Sequence, residues 1–112
     1  MTQAEAEWSL AECRRKIDAL DVQLRDLLNQ RAAIVDDVVR AKEALGVPVY
    51  EPKREAEVIR KATHGNPGPL SDEAFRHIFE AIMQEMRQIQ QVYLDRQERD
   101  RQEQARQKGT QE

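Results

Sequence analysis

Two basic side chains fall where a helix should be apolar. Leu10, Ile17, Leu24, Val38 and Leu45 recur at sevens, and Arg31 occupies the same register between Leu24 and Val38. Lys42 follows close to three helical turns later, so it points the same way at an axial offset of about 16 Å. Two cations on one buried face repel each other and are costly to desolvate without anions. A bound dicarboxylate resolves that conflict, because the guanidinium fork matches a carboxylate in geometry and charge. Each residue also has a plainer reading. A lone polar side chain in such a seam sets register or oligomeric state, and a long basic chain can extend its charge out to water. Arg14 flanks the seam beside Cys13, and with Arg15 and Lys16 it also reads as a solvated charge run.

Arg14 and Arg31 lie roughly 25 Å apart along one helix, so one chain cannot use both on a single small ligand. In an antiparallel or intertwined dimer, Arg14 of one protomer can approach Arg31 of the other. Further along, Glu51 and Glu55 share a helical face, which ordinary helix-dipole complementarity in a first turn also explains. Gln90 lies one turn beyond Met86 on an apolar stripe, where it reads equally as a satisfied core amide or a functional donor. His64 and His77 lack the spacing of a helical metal site, so no metal is expected. No nucleophile stands with a base, and no glycine loop is built for phosphate.

These residues need long helices to position them. From about Trp8 to Leu45 there is neither Gly nor Pro, and Cys13, Leu20, Leu27, Ile34 and Ala41 form a companion seam to the first. Gly46 and Pro48 end this helix. Pro52 suits the first turn of a short second helix. The run His64-Gly65-Asn66-Pro67-Gly68-Pro69 is a break, and Ser71 is an N-cap for a third helix, with Leu70 and Phe75 placed as a hydrophobic staple. Phe75, Ile78, Phe79, Ile82, Met86, Ile89 and Tyr93 carry that helix to at least about Leu94. The expectation is one domain over residues 1–94. Residues 95–112, nearly all charged or Gln, are expected to be a flexible tail, with a solvated helical extension as the alternative.

A first helix of about 38 residues spans roughly 57 Å, well beyond a compact globule of this chain length, roughly 35 Å across. Its seam persists along that length, and a second copy of the chain is the simplest cover. The net charge of −3 over 112 residues provides no global field for nucleic acid. No apolar run approaches a membrane span, and the acidic N-terminus does not read as a secretory signal. The single cysteine, Cys13, allows no intrachain disulfide; its place on an apolar face suggests a buried thiol in a reducing compartment, hence the cytoplasm.

Several segments resemble the all-α (AroQ-type) chorismate mutases. They are Arg14-Arg15-Lys16-Ile17-Asp18-Ala19-Leu20-Asp21, then Leu27-Leu28-Asn29-Gln30-Arg31 followed by Ala41-Lys42. Next come Val47-Pro48-Val49-Tyr50-Glu51-Pro52-Lys53-Arg54-Glu55, Gly68-Pro69-Leu70-Ser71, and the stretch from Ile78-Phe79 to Gln90. The resemblance runs from about residue 8 to 92. It implies an all-α fold of three helices per chain, long, short and long, in an intertwined homodimer. It also implies conversion of chorismate to prephenate by an intramolecular Claisen rearrangement without a cofactor. By the same resemblance, Arg31 binds one substrate carboxylate and Arg14 of the other subunit binds the second. Lys42 and Gln90 donate to the ether oxygen. Glu55 accepts from the ring hydroxyl, helped by the backbone at Glu51, while Arg54 supports local charge balance. Met86 departs from the pattern, standing where many members carry a small polar residue; this removes a hydrogen bond, adds bulk and bears on affinity.

Two other functions fit the same fold. One is an isochorismate-pyruvate lyase, against which Glu55 argues, because its substrate lacks the hydroxyl placed for that residue. The other is a non-catalytic regulatory or partner-binding helical dimer, against which the shared presence of Arg14, Arg31, Lys42, Glu55 and Gln90 argues. The mutases are often fused to other aromatic-pathway enzymes, so a standalone enzyme or a noncovalent partner of that pathway is expected here.

Overall fold

A computed structural model describes residues 1–110 of the chain. It contains three helices, α1 (Gln3–Leu45), α2 (Pro52–Thr63) and α3 (Asp72–Thr110), and no strand among the described residues. Helix ends follow local chemistry. Thr2 opens α1 by accepting the backbone N–H of Glu5 on its hydroxyl at 3.1 Å, a Thr-x-x-Glu start that places the helix a turn before the expected Trp8. At the other end Gly46 adopts φ +70°. Val47 N–H returns to the Lys42 carbonyl at 2.9 Å and Gly46 N–H to the Glu43 carbonyl at 3.3 Å, the paired closure of a Schellman motif.

Pro52 occupies the first turn of α2 as expected. Between α2 and α3, Asn66 organises the turn: its amide donates to the Leu70 carbonyl and to Asp72 Oδ1, both at 2.8 Å, and its oxygen accepts Gly68 N–H at 3.1 Å. Ser71 Oγ then caps α3 by accepting Ala74 N–H at 3.0 Å.

The chain divides into two units, Met1–Ile34 and Val35 onward. The first is helix alone. Its seam residues Leu10, Ile17, Leu20, Leu24, Leu27 and Ile34 are all exposed. Cys13 is exposed too, contrary to the buried thiol expected from its place on the seam. The reason is geometric: a single helix cannot cover its own face.

The second unit holds the core. The end of α1 contributes Val35 and Val39, the latter 0% exposed, and α3 contributes Met83, Met86 and Gln90, while α2 packs along α3. The buried face of α1 is therefore one position away from the heptad seam, whose Val38 and Leu45 stay exposed. Two long-range contacts join α1 to the far half of α3: Arg40 over the Tyr93 ring at 5.8 Å and Arg101 with Glu43 at 3.0 Å.

Residues 95–112 were expected to form a flexible tail. Instead α3 continues as helix to Thr110, the last described residue. The side chains from Glu98 to Gly109 are exposed. Pairs such as Arg101 with Glu98 at 3.8 Å and Gln102 with Glu98 at 3.3 Å sustain the extension by same-face contacts one turn apart rather than by burial.

Candidate active site

The second unit gathers polar groups from all three helices and the loop after α1. At their centre is Lys42, on the same face of α1 as Val35 and Val39 and 14% exposed at its side chain. Its ammonium donates to the Val49 carbonyl at 2.8 Å and to Gln90 Oε1 at 3.2 Å, and it pairs with Glu51 Oε1 at 3.1 Å. An ammonium has donors only, so the amide of Gln90 must turn its oxygen toward Lys42. Its nitrogen reaches only the Met86 carbonyl, at a long 3.5 Å, and so retains capacity to donate to a ligand. Gln90 is 6% exposed, so a polar atom brought to this point meets a largely desolvated donor. Hydrogen bonds and charges act more strongly there than in water.

The turn that closes α1 has a direct part in this arrangement. The Schellman closure at Gly46 reverses the chain and carries Val49 back over the Lys42 side chain. The same loop delivers Tyr50 and Glu51, and Pro52 then starts α2 so that Glu55 follows one turn after Glu51.

Glu55 meets α3 rather than solvent. Nη1 of Arg87 bonds both of its carboxylate oxygens, with 2.6 Å to Oε2. The guanidinium of Arg87 also lies over the Tyr50 ring, 5.0 Å from its centroid. The sequence reading missed Arg87. The signal was present, since Met83, Met86, Arg87 and Gln90 follow one another at three- and four-residue spacings on one face of α3.

The other expected residues are placed as follows. Met86 is buried in the wall beside Gln90. Arg54 turns away from the cluster and binds Glu57 at 2.6 Å. Glu57 also meets Lys61 at 3.0 Å, and Lys61 first and Arg54 second hold its carboxyl below the ordinary carboxylate range. Arg14 and Arg31 belong to the N-terminal unit, Arg14 exposed and Arg31 half-buried. Their separation along one helix, about 25 Å, keeps them from meeting within a chain. No cluster able to hold a metal ion occurs among the described residues, and no helix there is long and apolar enough to cross a membrane.

Comparison with known proteins places this geometry. The family pattern described as chorismate mutase type II matches residues 13–91. A bifunctional chorismate mutase/prephenate dehydratase of Pseudomonas aeruginosa is 40% identical over 79 residues, covering 66% of this chain and 22% of that protein, so the chain spans about a fifth of that longer relative. A chorismate mutase of Methanocaldococcus jannaschii is 30% identical over 89 residues, covering 77% of this chain and 88% of that one. Among solved structures, the Helicobacter pylori chorismate mutase in complex with prephenate superposes with a TM-score of 0.71 at 30% identity, over 77% of this chain and 93% of that chain. With the match running from Cys13 through Gln91 and so including Lys42, Glu51, Glu55 and Gln90, the chain belongs to the chorismate mutase type II family.

Proposed function

We propose that this chain catalyses the rearrangement of chorismate to prephenate, and that it does so as a homodimer in the aromatic amino acid pathway of the cytoplasm. The observation that carries the reading is the convergence of Lys42 and the Gln90 amide, 3.2 Å apart and shielded from water, with Glu51 and Glu55 beside them. In this rearrangement the ether C–O bond breaks as a C–C bond forms within the same molecule, so nothing is gained or lost. Negative charge grows on the ether oxygen as the bond breaks. The Lys42 ammonium and Gln90 Nε2 supply preplaced donors for that charge, favouring the transition state over the substrate. Glu55 accepts from the ring hydroxyl. The carboxylates are held by Arg31 and by Arg14 of the second protomer, which fixes the flexible enolpyruvyl arm over the ring. Even the low end of enzymatic acceleration requires about 8 kcal/mol. One buried donor contributes on the order of 3 kcal/mol, so two donors with conformational restriction reach that scale.

The exposed seam of the first unit supports the dimer. Burying Leu10, Ile17, Leu20, Leu24, Leu27 and Ile34 contributes about 1.5–3 kcal/mol for each side chain fully removed from water. The same dimer brings Arg14 of one protomer toward Arg31 of the other, and it would cover Cys13. A noncovalent partner enzyme that consumes prephenate fits the bifunctional makeup of the Pseudomonas relative. The test is loss of chorismate absorbance with the product identified. Formation of prephenate is the expected result; release of pyruvate from isochorismate, without action on chorismate, replaces this reading with a lyase, and inertness toward both leaves a binding module.

A further inference from the structure

We propose that Arg87 is a positioning residue that holds Glu55 as a hydrogen-bond acceptor for the substrate hydroxyl; this rests on the mutase reading above. Three observations support it. First, one nitrogen of Arg87, Nη1, bonds both oxygens of Glu55. Each carboxylate oxygen can accept about two hydrogen bonds, so this leaves each with capacity to accept from a ligand. Second, Arg87 is itself fixed from another side, with its guanidinium over the Tyr50 ring at 5.0 Å. The side chain thus links α3, the loop after α1 and α2, and the rotamer of Glu55 is set by two elements other than its own. Third, the charges are matched in pairs. Glu51 is paired with Lys42 at 3.1 Å and Glu55 with Arg87. A dianionic ligand entering this cluster would otherwise meet two carboxylates of its own sign. Arg87 offsets one of them without occupying the place where Lys42 and Gln90 meet.

The role is positional. Arg87 acts through Glu55 and is given no contact with the reacting bond. Two consequences separate it from a merely structural side chain. Its removal should matter only while Glu55 is a carboxylate. A lysine, which keeps the charge but loses the planar fork, should recover part of the loss.

The experiment is a double-mutant cycle on chorismate turnover with Arg87→Met and Glu55→Gln, together with Arg87→Lys. Methionine keeps the length of the arm and a contact for the Tyr50 ring. Loss of a charge-assisted hydrogen bond of this kind predicts a fall in kcat/KM of roughly tenfold to a hundredfold for Arg87→Met. In the Glu55→Gln background the same change should cost less than about threefold, and Arg87→Lys should lie between Arg87→Met and the wild type. Helix content and melting temperature are recorded for each variant. Equal losses in both backgrounds would overturn the proposal, as would a fall in activity that only tracks a fall in melting temperature. An active wild type with such additive losses removes this inference and leaves the mutase reading intact. A wild type that leaves chorismate unchanged removes both.

Discussion

Gln90 directs its amide oxygen at the Lys42 ammonium, 3.2 Å away, although the two residues are 48 positions apart. This contact orders the amide so that its nitrogen, held only by the long bond to the Met86 carbonyl, is the free donor at the centre of the cluster. A glutamine is thereby given one orientation rather than two, and its donor is ready before a ligand arrives.

Replacing Gln90 with Glu tests that donor. A carboxyl group donates only while protonated; once ionised it repels an oxygen that is gaining negative charge. An unperturbed glutamate titrates near pH 4.3; burial shifts such a group up and the Lys42 charge shifts it down. Turnover by Gln90→Glu should therefore rise as pH falls and vanish at high pH, while the wild type stays comparatively flat. Binding should suffer less than kcat. Full activity at pH 8 would exclude Gln90 from the mechanism.

Lys42→Met removes the charged donor and leaves Glu51 and the Val49 carbonyl without their partner. The expected loss in kcat is on the order of a hundredfold to a thousandfold, the scale seen when one preorganised donor is removed. Steady-state kinetics on protein of wild-type helix content provide the check. A loss below tenfold would place the developing charge elsewhere.

The dimer has two tests. Sedimentation at micromolar concentration should give twice the chain mass. Mixing Arg14→Ala chains with Arg31→Ala chains should restore part of the activity, because one of the two sites in a mixed dimer keeps both arginines. A well-folded monomer with unchanged helix content contradicts the first expectation, and proven mixing without recovery contradicts the second.

Deleting residues 95–112 should leave fold and turnover nearly unchanged, although the helix continues to Thr110. The cross-helix ion pair that is lost, Arg101 with Glu43, is largely exposed, and such pairs contribute about 0–1 kcal/mol. A large drop in melting temperature or turnover would show that this part of α3 docks in the assembly.

Gly46→Ala should destabilise without touching the cluster. A Cβ there meets no atom within 4 Å, so the cost arises from φ +70° alone, about 1–2 kcal/mol for a non-glycine residue. In a domain of this size that lowers the melting temperature by roughly 4–8 °C per kcal/mol, with Gly46→Asn milder because asparagine tolerates the left-handed region. An unchanged midpoint would mean the Schellman closure is dispensable.

The sequence by itself determined the ends of the helices, because those depend on a few neighbouring residues: Gly46 for a left-handed closure, Pro52 for a first turn, Ser71 for a cap. It also singled out Lys42 and Gln90, since a cation on an apolar face and an amide on an apolar stripe are legible from helical periodicity. Periodicity did not distinguish the seam from the adjoining face. Val35 and Val39, one position aside, are the α1 residues buried in the second unit, while Val38 and Leu45 remain exposed. That choice depends on which side of α1 meets α3, and no local rule contains it. Nor did pattern alone decide how far α3 runs, because alternating charges suit a frayed tail and a solvated helix alike. The bond from Arg87 to Glu55 joins residues 32 positions apart, and the sequence offers Glu55 several cations. Only the packing of α2 along α3 brings this one within reach and turns an ordinary first-turn glutamate into an oriented acceptor.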